Sequence, residues 1–523
     1  MDIAPLLTPR PAPAVLFESA KRYGDKTRFH TPAPVSWTAY AALVRKLAQV
    51  LLAHDVAKGE AVAIFAHNSL EWAAAGLAIQ SIGSVLVPIY PSSTDAQREY
   101  VLEHSDTRLY FDKDGLLSVT GARIATWQEA TSAATANDDE FESRFADVSL
   151  DDTALMLYTS GTTGQPKGVP LTHRNVSQNA VDWLRCNEPA LHDNAIDLLW
   201  LPMSHIFGFG ELCLGNALGF ESHLLAPSEV LAAMPELAPT VFMSVPAYWE
   251  KLASQAKLAA SPVAELRRLT GGHLRFCLSG GDGLRREVKE LFLEMGCLIV
   301  EGYGLTECAP TLTLNRPNDY RLDSVGKPLP SVDLRIADDS EIQARGPNIF
   351  ASYYKDPQAT LEAFTQDGWF CTGDLGTFDA DGFLRIIGRK KEILVTAGGK
   401  NIPPTNIEMQ FQDDPFVEHA VVYGDGKKYL VAAIWPNRAN IEASLGTTAS
   451  PQQVRDHLEA CVKTVNSGLA RFETIKSFAV MDTPLSVESE LLTASLKIRR
   501  KKIYEQHRVT FENLYSTQGE PRA

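Results

Sequence analysis

Residues 38–56 read TAYAALVRKLAQVLLAHDV, with apolar side chains recurring at helical spacing, and AVAIFA at 61–66 follows as a short continuous apolar run. The first pattern predicts an amphipathic helix and the second a buried strand. The alternation of the two through the first third of the chain predicts an α/β sheet architecture. Further apolar runs lead straight into polar, glycine-containing loops: ALMLY (154–158) into SGTTGQPKG, LIV (298–300) into EGYGLTE, and FLRIIG (383–388) into RKKE. Such loops at strand ends are expected to wall one crevice, because ligands of open α/β sheets sit outside the carboxyl ends of the strands. Beyond residue 390 the pattern shifts to HAVVYG (419–424) and YLVAAIWP (429–436), followed by a helical, charge-rich tail. The expectation is therefore an α/β fold: a large N-terminal domain of sheets with helices, 1–389, and a smaller C-terminal α+β domain, 390–523.

Length agrees with this division, since 523 residues exceed what one hydrophobic core organises. The hydrophobic share of 45% and charged share of 22% are those of ordinary globular chains, so neither disorder nor a fibrous repeat is expected. A formal net charge of -15 weighs against nucleic acid as a partner. Seven cysteines without a C-x-x-C pair fit reduced thiols and a cytoplasmic setting. The opening MDIAPLLTPRPAPAV is too proline-rich and too briefly apolar for a signal peptide, and the apolar stretch from Ala73 to Tyr90 is broken by Gln80, Ser81, Gly83 and Ser84. No membrane span is expected, which leaves peripheral membrane contact open.

The segment YTSGTTGQPKG, 158–168, gathers hydroxyls, three glycines and one lysine. Small residues let backbone amides close on a polyphosphate, and Lys167 adds a point charge. It is not a Walker A loop, because Pro166 precedes the lysine and no Lys-Ser/Thr pair follows. The string resembles the phosphate loop of adenylate-forming enzymes, the superfamily of acyl-CoA synthetases, peptide-synthetase adenylation domains and luciferases. The resemblance implies an ATP site that includes Thr159, Ser160, Gly161, Thr162, Thr163, Gly164 and Lys167.

Other motifs extend the likeness over nearly the whole chain. EGYGLTE (301–307) resembles the adenine and magnesium motif, which implies Tyr303 and Gly304 at adenine, Thr306 at the α-phosphate and Glu307 as the ligand of Mg²⁺, a hard cation that takes oxygen donors. WFCTGD (369–374) is similar to the segment whose aspartate, here Asp374, accepts hydrogen bonds from the ribose hydroxyls. GRKKE (388–392) resembles the hinge, with Arg389 near the ribose and Lys391 at the pivot of a mobile C-terminal domain. TAGGKN (396–401) resembles the loop lining the pantetheine tunnel, which implicates Gly398, Gly399 and Lys400. LTASLKIR (492–499) resembles the segment of the adenylation lysine, here Lys497, although Leu496 stands where many relatives carry glycine and Lys501 and Lys502 follow closely. The structural alternative for 497–502 is a solvated basic helix face.

The catalytic group implied is Lys497, Thr306, Glu307 and Lys167, acting by electrostatic stabilisation of phosphoryl transfer with no covalent protein nucleophile. LPMSHIFG (201–208) resembles the segment bordering the acyl pocket of fatty-acid members, which implies His205 and Phe207 there, and SGG (279–281) adds Gly280 and Gly281 as a wall. Asp282 departs from the small apolar residue common at its position. The likeness to long-chain-type fatty acyl-CoA synthetases implies ATP, Mg²⁺ and coenzyme A, with a medium- or long-chain fatty acid or another hydrophobic carboxylic acid as substrate. A carrier-protein phosphopantetheine is the alternative acceptor, and a catalytically silent acyl- or nucleotide-binding protein is the alternative class.

Overall fold

The computed structural model describes residues 2–132, 138–159, 165–411, 414–486, 489–493 and 497–516. The predicted helix forms as Trp37–Ala53, capped by the Ser36 hydroxyl, which accepts from the Ala39 amide. The apolar run after it forms the strand Ala61–Phe65.

Among the described residues two large sheets organise the N-terminal part. One has nine strands, and its parallel centre brings Glu221–Leu224, Ile196–Leu199, Val241–Ser244, Phe276–Ser279 and Ile299–Gly304 side by side. The other has seven strands, with Leu109–Asp112, Ala61–Phe65, Val85–Ile89 and Thr153–Thr159 parallel and Lys167–Thr172 closing the edge antiparallel. Wholly apolar strands such as Val85–Ile89 are buried on both faces, as a covered parallel sheet requires. A large apolar core extends from Ile3 to Phe370, and a smaller cluster that includes Ala63, Val87 and Met156 covers the other face of the seven-stranded sheet. A four-stranded antiparallel sheet, Asp333–Ile336, Glu341–Arg345, Phe370–Phe378 and Leu384–Arg389, follows it.

The C-terminal part is built on Val417–Tyr423, Leu430–Pro436 and Ile475–Val480, the first pair antiparallel and the second parallel. Its apolar clusters begin at Leu394 and cover both faces of that sheet. The α/β expectation with a smaller α+β part is the observed architecture. The tail differs from the basic-face alternative: the helix starts only at Arg500, which is buried, and Lys497 stands outside it. Among the described residues no helix is long and apolar enough to cross a membrane, and all seven cysteines are free thiols.

One buried group gives the fold a pH dependence. His173 opens the helix His173–Asn187, is 2% exposed, and its Nε2 has no hydrogen-bond partner among the described residues. Burial, opposed only by nearby Asp152, pushes its pKa down from 6.5 to about 4. The unfolded chain therefore takes up a proton below pH 6.5 that the folded chain refuses until about pH 4, so stability falls through that window as pH is lowered. Urea unfolding at pH 7 and pH 4.5 should show His173→Gln to be less pH-dependent than the parent by about 2 kcal/mol. Identical pH dependence in both proteins would remove His173 as the cause.

Candidate active site

The carboxyl ends of the parallel strands deliver most of the predicted residues to one cleft. Ile299–Gly304 runs parallel to Phe276–Ser279, with Ser279 opposite Glu301, so Gly280 and Gly281 leave one strand beside Tyr303 and Gly304 on the next. Gly304 has no room for a side chain, because a Cβ there would lie 1.9 Å from the Pro310 carbonyl oxygen. That close approach folds the chain back, the Leu305 amide bonding Pro310 O at 2.9 Å, and turns Thr306–Cys308 into a 3-10 segment that presents Thr306 and Glu307.

Glu307 is buried, and its Oε1 accepts from the Tyr353 hydroxyl at 2.9 Å. The Lys167 ammonium lies 4.8 Å from the centre of the same tyrosine ring, within cation–π range. Lys167 and Thr159 face each other in the antiparallel ladder that closes the edge of the seven-stranded sheet. Ser160, Gly161, Thr162, Thr163 and Gly164, which join them, lie outside the described residues.

Asp374 and Arg389 are paired across Phe370–Phe378 and Leu384–Arg389, and the ladder puts Arg389 Nε 2.9 Å from Asp374 Oδ1. The other carboxylate oxygen accepts from the Tyr303 hydroxyl at 2.7 Å. Burial raises the Asp374 pKa above its usual value, opposed by Arg389 and the tyrosine bond. A carboxylate so placed is an acceptor already aligned for hydroxyl donors.

Lys497 arrives from the small C-terminal part. Its backbone is held to Thr493, whose amide donates to Lys497 O at 2.8 Å and whose Oγ1 accepts from the Lys497 amide at 3.0 Å. Lys497 is an exposed residue, and its ammonium donates to the Gly281 carbonyl at 3.2 Å. Desolvation lowers its pKa, with Asp282 pulling in the opposite direction and Arg389 adding to the lowering. Asp282, the odd residue in the glycine wall, thus supplies negative charge near the lysine.

His205 and Phe207 flank the same place. His205 caps the helix Ile206–Leu218, its Nδ1 accepting from the Phe207 amide at 3.1 Å, which fixes the ring as a neutral acceptor. Burial, helped by the charge of Lys497, pushes its pKa down to about 4. A Cβ on Gly280 would stand 3.3 Å from the Phe207 ring. Along the same helix, Phe209, Cys213, Leu214 and Ala217 line a small apolar cavity of about 60 Å³, bounded on its other side by Leu6, Val15, Val176 and Leu184 and by none of the predicted site residues.

The remaining predicted residues are not brought here. Lys391 is exposed in the 3-10 segment Lys390–Glu392. Gly398, Gly399 and Lys400 form an exposed turn in which the Gly399 amide donates to the Thr396 carbonyl and the Lys400 carbonyl accepts from the Thr396 amide, with the Lys400 ammonium 5.5 Å from the Phe472 ring centre.

Two contributors escape the sequence reading. Tyr353 fixes Glu307 from 46 positions away, and only an aromatic pair ahead of the Asp356-Pro357 helix start marks it. Glu301, quoted above as the first letter of a motif, is buried, pairs with Lys289 at 2.5 Å and accepts from the Leu284 amide at 2.9 Å. It fastens the loop that carries Gly281, and a lone acid at the end of an apolar strand is the signal that could have found it.

A cleft at the ends of parallel strands, with lysines reaching in from two sides and an aligned acceptor carboxylate, suits an enzyme that handles a phosphate-bearing nucleotide. The chain belongs to the AMP-binding enzyme family: that family's model matches residues 16–354, and the model of the AMP-binding enzyme C-terminal domain matches 391–519. It is 32% identical to long-chain-fatty-acid–CoA ligase FadD15 of Mycobacterium bovis, over 96% of each chain. It is 28% identical to long-chain-fatty-acid–CoA ligase 6 of Homo sapiens, over 92% of this chain and 83% of that one. Among solved structures it resembles the O-succinylbenzoate coenzyme A synthetase MenE of Bacillus subtilis in complex with ATP and magnesium ion, at 25% identity and a TM-score of 0.76, covering 94% of this chain and 99% of that one.

Proposed function

We propose that the chain is an AMP-forming acid–thiol ligase that converts a medium- or long-chain fatty acid and ATP to an acyl-adenylate and pyrophosphate, then passes the acyl group to coenzyme A with release of AMP. The observation that carries the reading is the meeting of Lys497, from the small part, with Gly281, Asp374 and Arg389 of the large one. Family membership and relatives named as fatty-acid ligases support both the reaction and a chain-like acid.

In this reading Asp374 accepts the ribose hydroxyls and Arg389 holds it in place, while Tyr303 and Gly304 form the adenine wall. Thr306 and the 159–164 loop contact phosphates. Repulsion between the substrate carboxylate and the polyphosphate is the main obstacle to the first step. Lys167 and Lys497 offset it by placing positive charge where the α-phosphate oxygens gain negative charge. Glu307 fits a magnesium site, because it is buried, only one of its oxygens is engaged by Tyr353, and one carboxylate with substrate phosphates is a usual Mg²⁺ ligand set. The ion, when bound, supplies neutralising charge to the phosphates. His205, Phe207, Gly280 and Gly281 border the acyl group.

The second step needs the thiol at the acyl carbonyl, a place Lys497 occupies. Rotation about Lys391 would exchange it for the Gly398, Gly399 and Lys400 turn. We place the boundary of the moving part at 389/390, in keeping with the small part's core beginning at Leu394.

The test is ATP consumption with a panel of fatty and aryl acids, with and without coenzyme A, following pyrophosphate and acyl-CoA separately. Acyl-CoA formed fastest from medium or long chains is the expected result. Pyrophosphate without thioester would move the acceptor to a carrier protein, and neither product would sink the ligase reading.

A further inference from the structure

The segment read above as the hinge is fastened on both sides by ion pairs. Lys390 reaches back to the four-stranded sheet, its ammonium 2.5 Å from Asp339 and 2.9 Å from Glu341. Glu392 reaches forward and accepts from Arg500 Nε at 3.5 Å. Arg500 is 9% exposed, grips both oxygens of Glu408 and opens the helix Arg500–Gln506, three residues after Lys497. Glu408 lies on the helix Pro404–Phe411 and accepts from the Val422 amide at 2.7 Å. One guanidinium therefore joins the hinge segment, a core helix and the segment that carries Lys497. Lys391, between the two fastenings, is exposed and forms no ion pair among the described residues.

We propose that Glu392 and Arg500 are positioning residues that lock the Lys497 segment to the far side of the hinge, so that rotation at Lys391 carries the lysine into and out of the cleft as part of one rigid piece. The inference rests on the reading of Lys391 as pivot and Lys497 as adenylation lysine. A pivot transmits rotation only when both flanks are stiff. The near flank is tied to the large part by Lys390. On the far flank Leu491 and Leu492 are buried, Ile498 packs against the small part's apolar cluster and Leu492 and Ile498 form an isolated bridge, so the Lys497 segment is anchored in the small part, and the arginine extends that anchoring to the hinge segment. Removing the Glu392 charge leaves Arg500 on Glu408, so the small part keeps its packing while the hinge loses its hold on the Lys497 segment.

The experiment uses the full-length chain carrying Glu392→Gln. Single-turnover pyrophosphate release should fall about tenfold, the scale of a small misplacement of a reacting group. Thioester formation from supplied acyl-adenylate should stay within about twofold, because Lys497 is absent from that step, and the melting temperature should stay within about 2 °C. Glu392→Asp, which keeps the charge, should recover part of the loss. Equal loss in both half-reactions, or a loss that follows the melting temperature, would reduce the pair to a structural role and overturn the proposal, as would no loss at all. A parent protein that releases no pyrophosphate would sink the ligase reading itself, and the inference with it.

Discussion

Replacing Lys497 with alanine should slow acyl-adenylate formation by about 10²–10³-fold while leaving thioester formation from supplied acyl-adenylate nearly unchanged, the range expected when one preorganised charge is removed from a transition state. The ammonium sits within reach of the site that would hold the α-phosphate, 3.2 Å from the Gly281 carbonyl and near Asp374 and Arg389. The lowered pKa lies on the side that weakens the lysine at high pH: it carries its charge below that pKa and loses it above. Adenylation should therefore decline at alkaline pH before thioester transfer does. Single-turnover pyrophosphate release and acyl-adenylate chase experiments separate the two steps. Equal loss in both would show that Lys497 serves the whole site, and no loss would return the role to Lys501 or Lys502.

The second large effect is on stability. Glu301→Ala should cost about 3–5 kcal/mol, the range for breaking a buried pair by removing one partner. Lys289 would be left as a buried uncompensated charge, with both side chains of the pair now about 5% exposed or less, and the Leu284 amide would lose its acceptor. Combining Lys289→Met with Glu301→Gln should recover more than half of the loss, because the glutamine carbonyl still receives that amide and no charge remains buried. Urea unfolding of the parent, the single and the double variant measures both claims. A loss under about 1 kcal/mol in Glu301→Ala would mean that water reaches the pair.

Patterns with a short range were the ones readable in advance. Helix Trp37–Ala53 and strand Ala61–Phe65 follow from apolar periodicity alone, and the strand-then-loop rhythm placed the motif loops at strand ends. Asp374 and Arg389 stand 15 positions apart in two separate motifs, and their pairing needed the register of a ladder that periodicity does not encode. Glu301 with Lys289 and Tyr353 with Glu307 are long-range partners of the same kind: each residue looks ordinary until the fold supplies its neighbour. The run Lys497 to Lys502 misleads in the opposite direction. Its charges suggest one solvated face, but Lys497 is held to Thr493 and donates to Gly281 in the cleft, while Arg500 points inward to Glu408.

The bond from Lys497 to Gly281 has a consequence for the rotation. Its acceptor is an uncharged carbonyl, and a hydrogen bond from an ammonium to such a group contributes about 1.5–3 kcal/mol net, less where water competes for the donor. A carboxylate in the same place would hold the lysine more tightly. In the proposed cycle, rotation about Lys391 then has one hydrogen bond to a neutral carbonyl to break at this point.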